Sequence, residues 1–490
     1  MIKLLKNQNA FYNVRLVYII CVLLYALARQ VIVATQPLFL HSAFNIIAIL
    51  GAGAVFLWDI LFFRNVLKTK YIWLLVALFA ATFVSILVYR TYDFVDNLKA
   101  AANMFIQFFV LYAVGNTITK ERIRRDVTAI GSALGALWMV AVIASLVMYF
   151  FDITYTQTNY IWGEPSAINQ GFVRVDDGAV VMRLWGVFVD PNFAAAIAIM
   201  VICFAIYMLN STKKRWVKGL HITNIVLQSL YVVLSNSRMA KMILLFLAFV
   251  GVWYISVKKI RKFKVKFIAE KRLVREAVAL GLAVLMVVAC SLCISGAKKV
   301  LPYAQYGISH LVGGSDGSTD DGDTPDDEIA SLDREDISAK DDISNGRLEM
   351  WGEGFKVLKK NPIIGVGPRS YHTVATEIDS SMSIAAPAKR SIHNSYMELL
   401  MGNGIVGFLL LLAFFALCAK DAFVLRFKNT GTLFTVGILM LIVLSALAGG
   451  MFISSLFYYL SGISVVAFGM LGYAIAYMQC VKKEEATPKA

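Results

Sequence analysis

Charged residues are scarce in this sequence of 490 residues: 16% are Asp, Glu, Lys or Arg, whereas 59% are hydrophobic. Soluble globular domains carry about 25% charged residues. Together with a mean hydropathy of +0.68, this composition excludes a soluble protein. Apolar runs of about 20 residues, the length that crosses a hydrocarbon core of roughly 30 Å, recur along the whole chain. They predict a polytopic membrane protein.

Cysteine is also scarce, and all six cysteines lie in or at the ends of apolar segments: Cys21, Cys203, Cys290, Cys293, Cys418 and Cys480. This placement argues against a disulfide framework or a zinc site. The five histidines are scattered along the chain, and neither a His-rich cluster nor an Asp-x-Asp motif occurs at the three helix starts considered below. We therefore predict that the protein uses no cofactor and no metal.

Positive charge exceeds negative charge, with 47 Lys and Arg against 32 Asp and Glu, and it is concentrated in alternate short loops such as 120–125 and 213–218. The positive-inside rule places these loops, and with them both termini, in the cytoplasm. Twelve apolar runs satisfy this pattern, so we predict an all-α polytopic membrane protein with about 12 transmembrane helices. Topology and anionic lipid also explain the basic stretch KKIRKFKVKF, and we predict no nucleic-acid partner.

Two predicted extracytoplasmic loops, 152–191 and 296–394, are too long to be simple connections. The first lies within the region of helices 1–9, and the second separates helices 9 and 10. The predicted organisation is therefore transmembrane helices 1–9 in 1–295, the large loop in 296–394, transmembrane helices 10–12 in 395–480 and a cytoplasmic tail in 481–490.

The large loop itself has two parts. Residues 313–342 hold twelve acids and almost no large apolar side chains, which predicts an acidic disordered linker. The spacing of these acids does not fit a calcium-binding EF-hand loop. After the linker, apolar residues such as Trp351 and Phe355 recur at helical spacing, and they predict an amphipathic helix over 346–360.

Polar side chains precede predicted helix 6, which begins at the extracytoplasmic face. In the segment RLWGVFVDPN, Asp190 can cap the helix, Pro191 suits its first position and Arg183 lies just upstream. A helix N-terminus presents unsatisfied N–H groups and the positive end of the helix dipole. This helix start is therefore a candidate anion site.

Predicted helices 8 and 10 begin at the same face and carry similar residues. Helix 8 follows the segment SNSR, in which a serine can cap and Arg238 lies on the first turn. Helix 10 follows RSIHNS, in which Asn394 or the next serine can cap and His393 stands at the entry. Glu398 lies one turn into helix 10.

Arginine matches phosphate oxygens bidentately and stays ionised, so Arg183 and Arg238 predict a site for a diphosphate. Interfacial arginines also reach lipid headgroups without binding a ligand, an explanation that fits Arg238 better than Arg183. At neutral pH, His393 can act as a general base or orient a hydroxyl. Glu398 is either an alternative base or an acidic group favoured by the helix dipole. Arg347 opens the amphipathic helix and adds positive charge to the large loop.

These motifs resemble those of the O-antigen ligase and O-antigen polymerase superfamily of bacterial membrane glycosyltransferases. NGRLEMWGEGFKVLKKNPIIGVGPRSYH, followed by HNSYMELLMGNGIVGFLLL, is similar to the family's Arg-Trp helix, Pro-Gly turn, His-Asn entry and Gly-Val-Gly span. RLWGVFVDPNFAA and SNSRMA resemble its Arg-Gly-Phe-Pro-Asn and Ser-Arg elements. The motifs cover roughly 183–250 and 345–415, and the acidic insert at 313–342 departs from the compact family loop.

The resemblance implies a GT-C-like fold and an enzyme that uses a glycan carried on undecaprenyl diphosphate. It implies inverting, metal-independent transfer at the outer face of the bacterial cytoplasmic membrane, for a capsule or another cell-envelope polysaccharide. By the same resemblance, Arg183 and Arg238 hold the diphosphate and His393 activates or orients the acceptor hydroxyl. The expected substrate-binding residues are Arg347, Asn192, Asn394 and Glu398. The expected partners are the lipid-linked oligosaccharide, the bilayer, a chain-length regulator and a flippase.

Three functions compete at this point. A polymerase moves the glycan to another lipid-linked repeat unit, and a ligase moves a finished glycan to a different acceptor. We favour the polymerase because the charged loop is larger than a ligase needs. A non-enzymatic transporter of lipid-linked glycans is the third alternative, but ionisable residues within the apolar runs are sparse and lie near their ends, as Asp59 and Lys241 do.

Overall fold

The computed structural model describes residues 5–31, 38–151, 153–154, 156–159, 166–169, 173–176, 179–260, 271–313, 332, 346–386, 390–428 and 433–486. These residues form fifteen α-helices and four short strands. The first part of the chain contains α1 (Gln8–Ala28), α2 (Leu38–Phe62), α3 (Asn65–Lys68), α4 (Ile72–Val88), α5 (Phe94–Phe105), which continues as a π-helix (Ile106–Tyr112), and α6 (Lys120–Phe150). The middle part contains β1 (Thr156–Asn159), β2 (Ser166–Asn169), β3 (Val173–Asp176), β4 (Ala179–Met182), α7 (Pro191–Ser211), α8 (Arg215–Leu234), α9 (Arg238–Ile260) and α10 (Arg272–Gly313). The last part contains α11 (Arg347–Leu358), α12 (Tyr371–Ile378), α13 (Ser395–Lys428), α14 (Leu433–Gly449) and α15 (Gly462–Ala486).

The helices confirm an all-α polytopic membrane protein. By length and composition, nine of the described helices can cross a membrane, and Ile72–Val88 and Phe434–Gly449 are shorter apolar helices. Each of the twelve predicted runs overlaps a helix of the described chain, and the fourth run overlaps α5 with its π-helical continuation. The predicted runs are 14–34, 43–63, 71–89, 98–118, 127–151, 193–209, 217–234, 239–257, 277–295, 396–419, 432–448 and 456–478. The β-structure found in the described ranges consists of two antiparallel hairpins, β1 with β2 and β3 with β4.

The larger of the two predicted loops, 296–394, contains more helix than the sequence predicted. Helix α10 continues to Gly313 through Pro302, well past the predicted loop start at 296. The added turns contain helix-forming residues such as Ala, Lys and Leu, but they are too polar to extend an apolar run. The amphipathic helix predicted over 346–360 is α11, and α15 extends into the predicted tail as far as Ala486.

Contacts divide the chain into two compact units. Unit 1 comprises Met1–Leu27, Pro37–Ala133 and Ser344–Ala490. Unit 2 comprises Ala28–Gln36 and Leu134–Ile343. In unit 1, α13 packs on α4, α14 packs on α15, and α11 packs on α12 and α13. In unit 2, α7 is almost completely buried against its neighbours, including α8 and α9, and α9 packs along α10.

In unit 1, residues 362–367 form a loop that crosses helix α13, and the helix is interrupted at this crossing. Gly404 has φ 64° and ψ −169° inside this helix. Backbone groups of the loop form hydrogen bonds with backbone groups of the interrupted helix turn. In one of them, Val366 N donates to Met401 O at 2.8 Å. A Cβ at position 404 would lie 2.2 Å from Ile363 O. Glycine is required at this position because both the positive φ and the close approach exclude a side chain.

Replacing Gly404 with alanine should destabilise the protein by about 3 kcal/mol, because a methyl group collides with backbone atoms and the left-handed φ becomes strained. The measurement is the midpoint of thermal unfolding of the purified protein. The matched control is Gly469→Ala, since a Cβ there meets nothing within 4 Å, and its midpoint should not fall. Equal unfolding midpoints for the two variants would contradict the close approach of the 362–367 loop to Gly404.

Candidate functional site

In unit 2, the Arg183 side chain joins the end of α8 to the start of α7. Its Nε donates to Ser235 O at 2.9 Å, and its Nη2 donates to Asn192 Oδ1. The adjacent backbone is also fixed, because Leu184 N donates to Leu234 O at 3.0 Å. Arg183 is therefore held half-buried in one orientation rather than extended towards solvent.

The starts of α7 and α9 are both capped by side chains. Asp190 is the N-cap of α7 and accepts from Asn192 N at 2.8 Å, with Pro191 at the first helical position. Ser237 precedes α9, and its Oγ accepts from Ala240 N at 3.2 Å. Because these caps already satisfy N–H groups of the first turns, the arginines supply the stronger attraction for an anion.

Asn192 connects the two helix starts. Its Oδ1 accepts from Arg183 and also from Ser237 Oγ, the latter at 2.8 Å. The residue after Ser237 is Arg238, which is half-buried on the first turn of α9. Arg183, Asn192, Ser237 and Arg238 are hereafter called the cationic cluster. The structure thus brings together two of the predicted catalytic residues and one predicted substrate-binding residue.

A third cation approaches the same turn. Asn236 lies between the two serines of the SNSR segment, is buried, and has a left-handed backbone with φ 48°. Its Oδ1 accepts from Lys298 Nζ of α10 at 2.5 Å, and its Nδ2 donates to Leu332 O at 2.8 Å. Sequence reasoning missed Lys298 because a lysine near a helix end ordinarily signals only a charge reaching the membrane surface.

Leu332 is the one residue of the predicted acidic linker, 313–342, that the structure describes beyond the end of α10. Its side chain is buried. The other residues of that linker lie outside the described part of the chain, so the prediction of disorder remains a prediction.

In unit 1, His393 stands at the entry of α13. It is half-buried and has a left-handed backbone with φ 49°, a conformation that is uncommon for residues other than glycine. Asn394 is the cap, since its Oδ1 accepts from Tyr396 N at 3.0 Å and from Met397 N at 3.1 Å. The entry is therefore a constrained turn that ends in a well-formed helix start.

Side chains from α11 and from the loop after α14 hold this turn. Trp351 Nε1 donates to Ile392 O at 3.2 Å. Ser391 Oγ donates to Ser454 Oγ at 3.0 Å and accepts from His393 N at 3.3 Å. The backbone around His393 is thus fixed from two sides, which favours a preorganised position for the imidazole.

Arg347 is the first residue of α11, and its Cζ lies 5.8 Å from the centre of the Phe452 ring. Phe452 belongs to the same loop as Ser454, the partner of Ser391. One loop therefore contacts both Arg347 and the turn that carries His393.

Glu398 is buried, with 1% of its surface exposed. Its Oε1 accepts from Tyr459 OH at 3.3 Å and from Tyr371 OH at 3.4 Å. The Arg369 guanidinium lies 4.0 Å from the centre of the Tyr459 ring and donates to the Tyr459 hydroxyl. This arrangement favours a positioning role for Glu398 over its use as a general base, because the carboxylate faces an internal network.

The two tyrosines of this network are protonated donors. Burial, followed by the charge of Glu398, raises the pKa of Tyr371 well above its ordinary value. Burial and Glu398 also raise the pKa of Tyr459. Burial lowers the pKa of Arg369, but Tyr459 and Glu398 outweigh that effect, and the net direction is upward. The two tyrosines therefore stay protonated, and Arg369 stays charged, across the physiological pH range.

The cationic cluster belongs to unit 2, whereas the His393 turn, Arg347 and the Glu398 network belong to unit 1. All residues of each set lie within a single unit. Among the residues that the structure describes, no three His, Cys, Asp or Glu side chains are grouped as a metal ligand set.

Part of the chain is similar to a known protein family. Residues 223–412 match the family model described as O-antigen ligase. The matched stretch contains Arg238, Arg347 and His393, and it begins after Arg183 and Asn192. A search of the curated proteins finds no match to the chain.

Proposed function

We propose that this chain is a polysaccharide polymerase of the O-antigen ligase and polymerase superfamily. The match of residues 223–412 to the O-antigen ligase family model supports the proposal. The family supports a membrane glycan transferase that acts on a lipid-linked glycan. In the proposal, the glycan moves from undecaprenyl diphosphate to a sugar hydroxyl of another lipid-linked repeat unit. The reaction is inverting and metal-independent, and it takes place at the extracytoplasmic face of the bacterial cytoplasmic membrane, with both termini in the cytoplasm.

The observation that carries the proposal is the cationic cluster. Asn192 holds Arg183 against the start of α9, where Arg238 lies. Arginine forks bind phosphate oxygens bidentately, and a preoriented fork stabilises developing negative charge without reorganising. A lipid diphosphate that leaves a sugar carbon develops such charge. Arg183 and Arg238 would therefore bind the donor and stabilise the leaving group.

His393 takes the second role in the proposed reaction. The acceptor oxygen forms a bond to the anomeric carbon while the bond from that carbon to the diphosphate oxygen breaks. The hydroxyl proton passes to the His393 imidazole, and the two electrons of the broken bond leave with the diphosphate. Attack from the face opposite the leaving group inverts the configuration. The constrained turn around His393 supports this role because general-base catalysis depends on a fixed geometry.

The predicted substrate-binding residues fall into two groups. Asn192 orients Arg183 and Asn394 shapes the His393 turn, so both support the catalytic residues through hydrogen bonds. Glu398 lies in a buried network and acts through it. Arg347, half-exposed at the start of α11, is the residue of this set that we propose to contact the glycan directly.

The direct test is turnover of a purified lipid-linked repeat unit by the full-length protein in proteoliposomes. We expect lengthening lipid-linked chains and release of undecaprenyl diphosphate, with no effect of a metal chelator. Transfer to a different acceptor without chain growth would instead identify a ligase. Translocation of the lipid without any new glycosidic bond would identify a transporter.

A gene deletion provides an independent readout in cells. Loss of a polymerase leaves single lipid-linked repeats, whereas loss of a ligase leaves long lipid-linked chains. A chain-length regulator and a flippase are the partners that the polymerase reaction would require, the first to set product length and the second to supply substrate.

A further inference from the structure

We propose that Ser395 is a positioning residue for the transfer reaction. It holds the turn that carries His393 against the loop after α14, residues 450–461, and so fixes the place at which His393 meets the acceptor hydroxyl. This inference rests on the proposed function and deepens it, because it names a side chain on which the geometry of the general base depends. Ser395 acts through His393 and has no contact with the substrate in the proposal.

Ser395 is the first residue of α13, but it is not the cap of that helix. Asn394 is the cap, because its side chain accepts from the N–H groups of the first turn. Ser395 is nevertheless buried, with 1% of its surface exposed. A buried hydroxyl needs partners, and those of Ser395 all belong to the loop after α14.

Four hydrogen bonds join Ser395 to this loop. Its Oγ donates to Ile453 O at 2.7 Å. The same oxygen accepts from Ser455 N at 3.0 Å and from Leu456 N at 3.2 Å. The Ser395 backbone N donates to Gly450 O at 2.8 Å. A serine hydroxyl has one donor and two acceptor sites, so the side chain is fully used in holding the loop.

The same loop also binds the other side of the His393 turn. Ser391 Oγ donates to Ser454 Oγ at 3.0 Å and accepts from His393 N at 3.3 Å. His393 therefore lies between two serines that contact one loop, one of them two positions before it and the other two positions after it. Its left-handed backbone, with φ 49°, persists only where the surroundings hold it, and these attachments hold it from both sides.

Removal of the Ser395 hydroxyl changes the position of the turn rather than the presence of the helix. The cap at Asn394 remains, so α13 keeps its start. Three backbone groups of the buried residues Ile453, Ser455 and Leu456 lose their partner, and the loop must shift to satisfy them. A shift of about 1 Å at a catalytic group can lower the rate about 10²-fold.

The experiment measures single-turnover transfer from a lipid-linked repeat unit by the full-length protein in proteoliposomes, together with donor binding. Ser395→Ala should lower kcat by about 10–10²-fold, as expected for a displaced base, while the donor Kd stays unchanged. Ser395→Thr keeps the hydroxyl and should recover most of the lost rate. The matched control is Ser85→Ala, since Ser85 is also buried and its Oγ donates to Gly402 O at 2.7 Å. That variant should keep its kcat even where its unfolding midpoint falls.

A double variant separates positioning from a general loss of structure. If Ser395 acts through His393, then Ser395→Ala should lower the rate little further in a protein that already carries His393→Asn, because the two effects share one catalytic group. Ser391→Ala removes one attachment of the same turn and should show the same dependence on His393 with a smaller loss of rate. It replaces Ser395→Ala in this comparison where the latter does not fold.

Two results would overturn the proposal. One is a normal kcat in Ser395→Ala. The other is a loss of rate that is the same with and without His393, which would assign the serine to the stability of the fold alone. His393→Asn by itself tests the proposed function separately. A large loss of kcat in His393→Asn with a normal kcat in Ser395→Ala would leave the proposed function intact and reject only the positioning role.

Discussion

Arg183→Ala should lower kcat/KM for glycan transfer by about 10²–10³-fold, the usual cost of removing one preoriented donor from a site that stabilises developing negative charge. The effect should be large because Arg183 is held by Ser235 O and by Asn192 rather than free in solution. The measurement is the rate of undecaprenyl diphosphate release from a lipid-linked repeat in proteoliposomes.

Two further variants make this prediction specific. Arg183→Lys should recover little activity, since a point charge cannot donate to Ser235 O, Asn192 and a phosphate with the same planar geometry. Arg215→Ala is the matched control, because Arg215 is an exposed arginine at the opposite end of α8, and it should retain full activity. Normal turnover in Arg183→Ala with unchanged diphosphate binding would contradict the role given to the cationic cluster.

His393→Asn should lower kcat by about 10²–10⁴-fold, the range that general acid–base catalysis ordinarily contributes, while the Kd for undecaprenyl diphosphate stays unchanged. Asparagine is the suitable replacement because it tolerates the left-handed backbone at this position, where φ is 49°. The α13 start should therefore remain intact. The measurements are single-turnover transfer at saturating donor and donor binding in nanodiscs.

His221→Asn is the control for this substitution. His221 lies within α8 and outside both candidate clusters, and its loss should leave kcat within about twofold of the original value, as for a residue that makes no contact with the transition state. Equal kcat values for His393→Asn and the unaltered protein would exclude His393 as the base. A parallel rise in donor Kd would instead assign His393 to donor binding.

Local rules were sufficient to predict the helices and the ends that carry the candidate residues. Apolar runs long enough to cross a bilayer need no knowledge of their neighbours, because each helix satisfies its own backbone hydrogen bonds. Capping is equally local: Asp190 caps α7 and Asn394 caps α13 as their positions in the sequence indicated. The family resemblance added the roles expected of Arg183, Arg238 and His393. Nothing in this part of the prediction required a contact between distant segments.

Distances along the chain explain what was missed. Lys298 is 62 positions from Asn236, and Arg369 is 90 positions from Tyr459. Periodicity and spacing report on neighbours within one helix or turn, so they contain no signal for such pairs. The same limit applies to Glu398, whose place in the sequence is that of an ordinary first-turn acid. Its burial between two tyrosines depends on how α12 and the loop after α14 pack around it.

By itself, the sequence determined the membrane class, the approximate helices and the residue types at each helix start, because backbone hydrogen bonding, capping and hydropathy act over a few residues. Only the tertiary structure shows that Asn192 connects Arg183 to the start of α9 and that Lys298 contacts the adjacent Asn236. It also shows that a crossing loop interrupts α13 at Gly404. These outcomes depend on packing between segments far apart in the chain, where the burial of one polar group requires a partner that only the folded chain supplies.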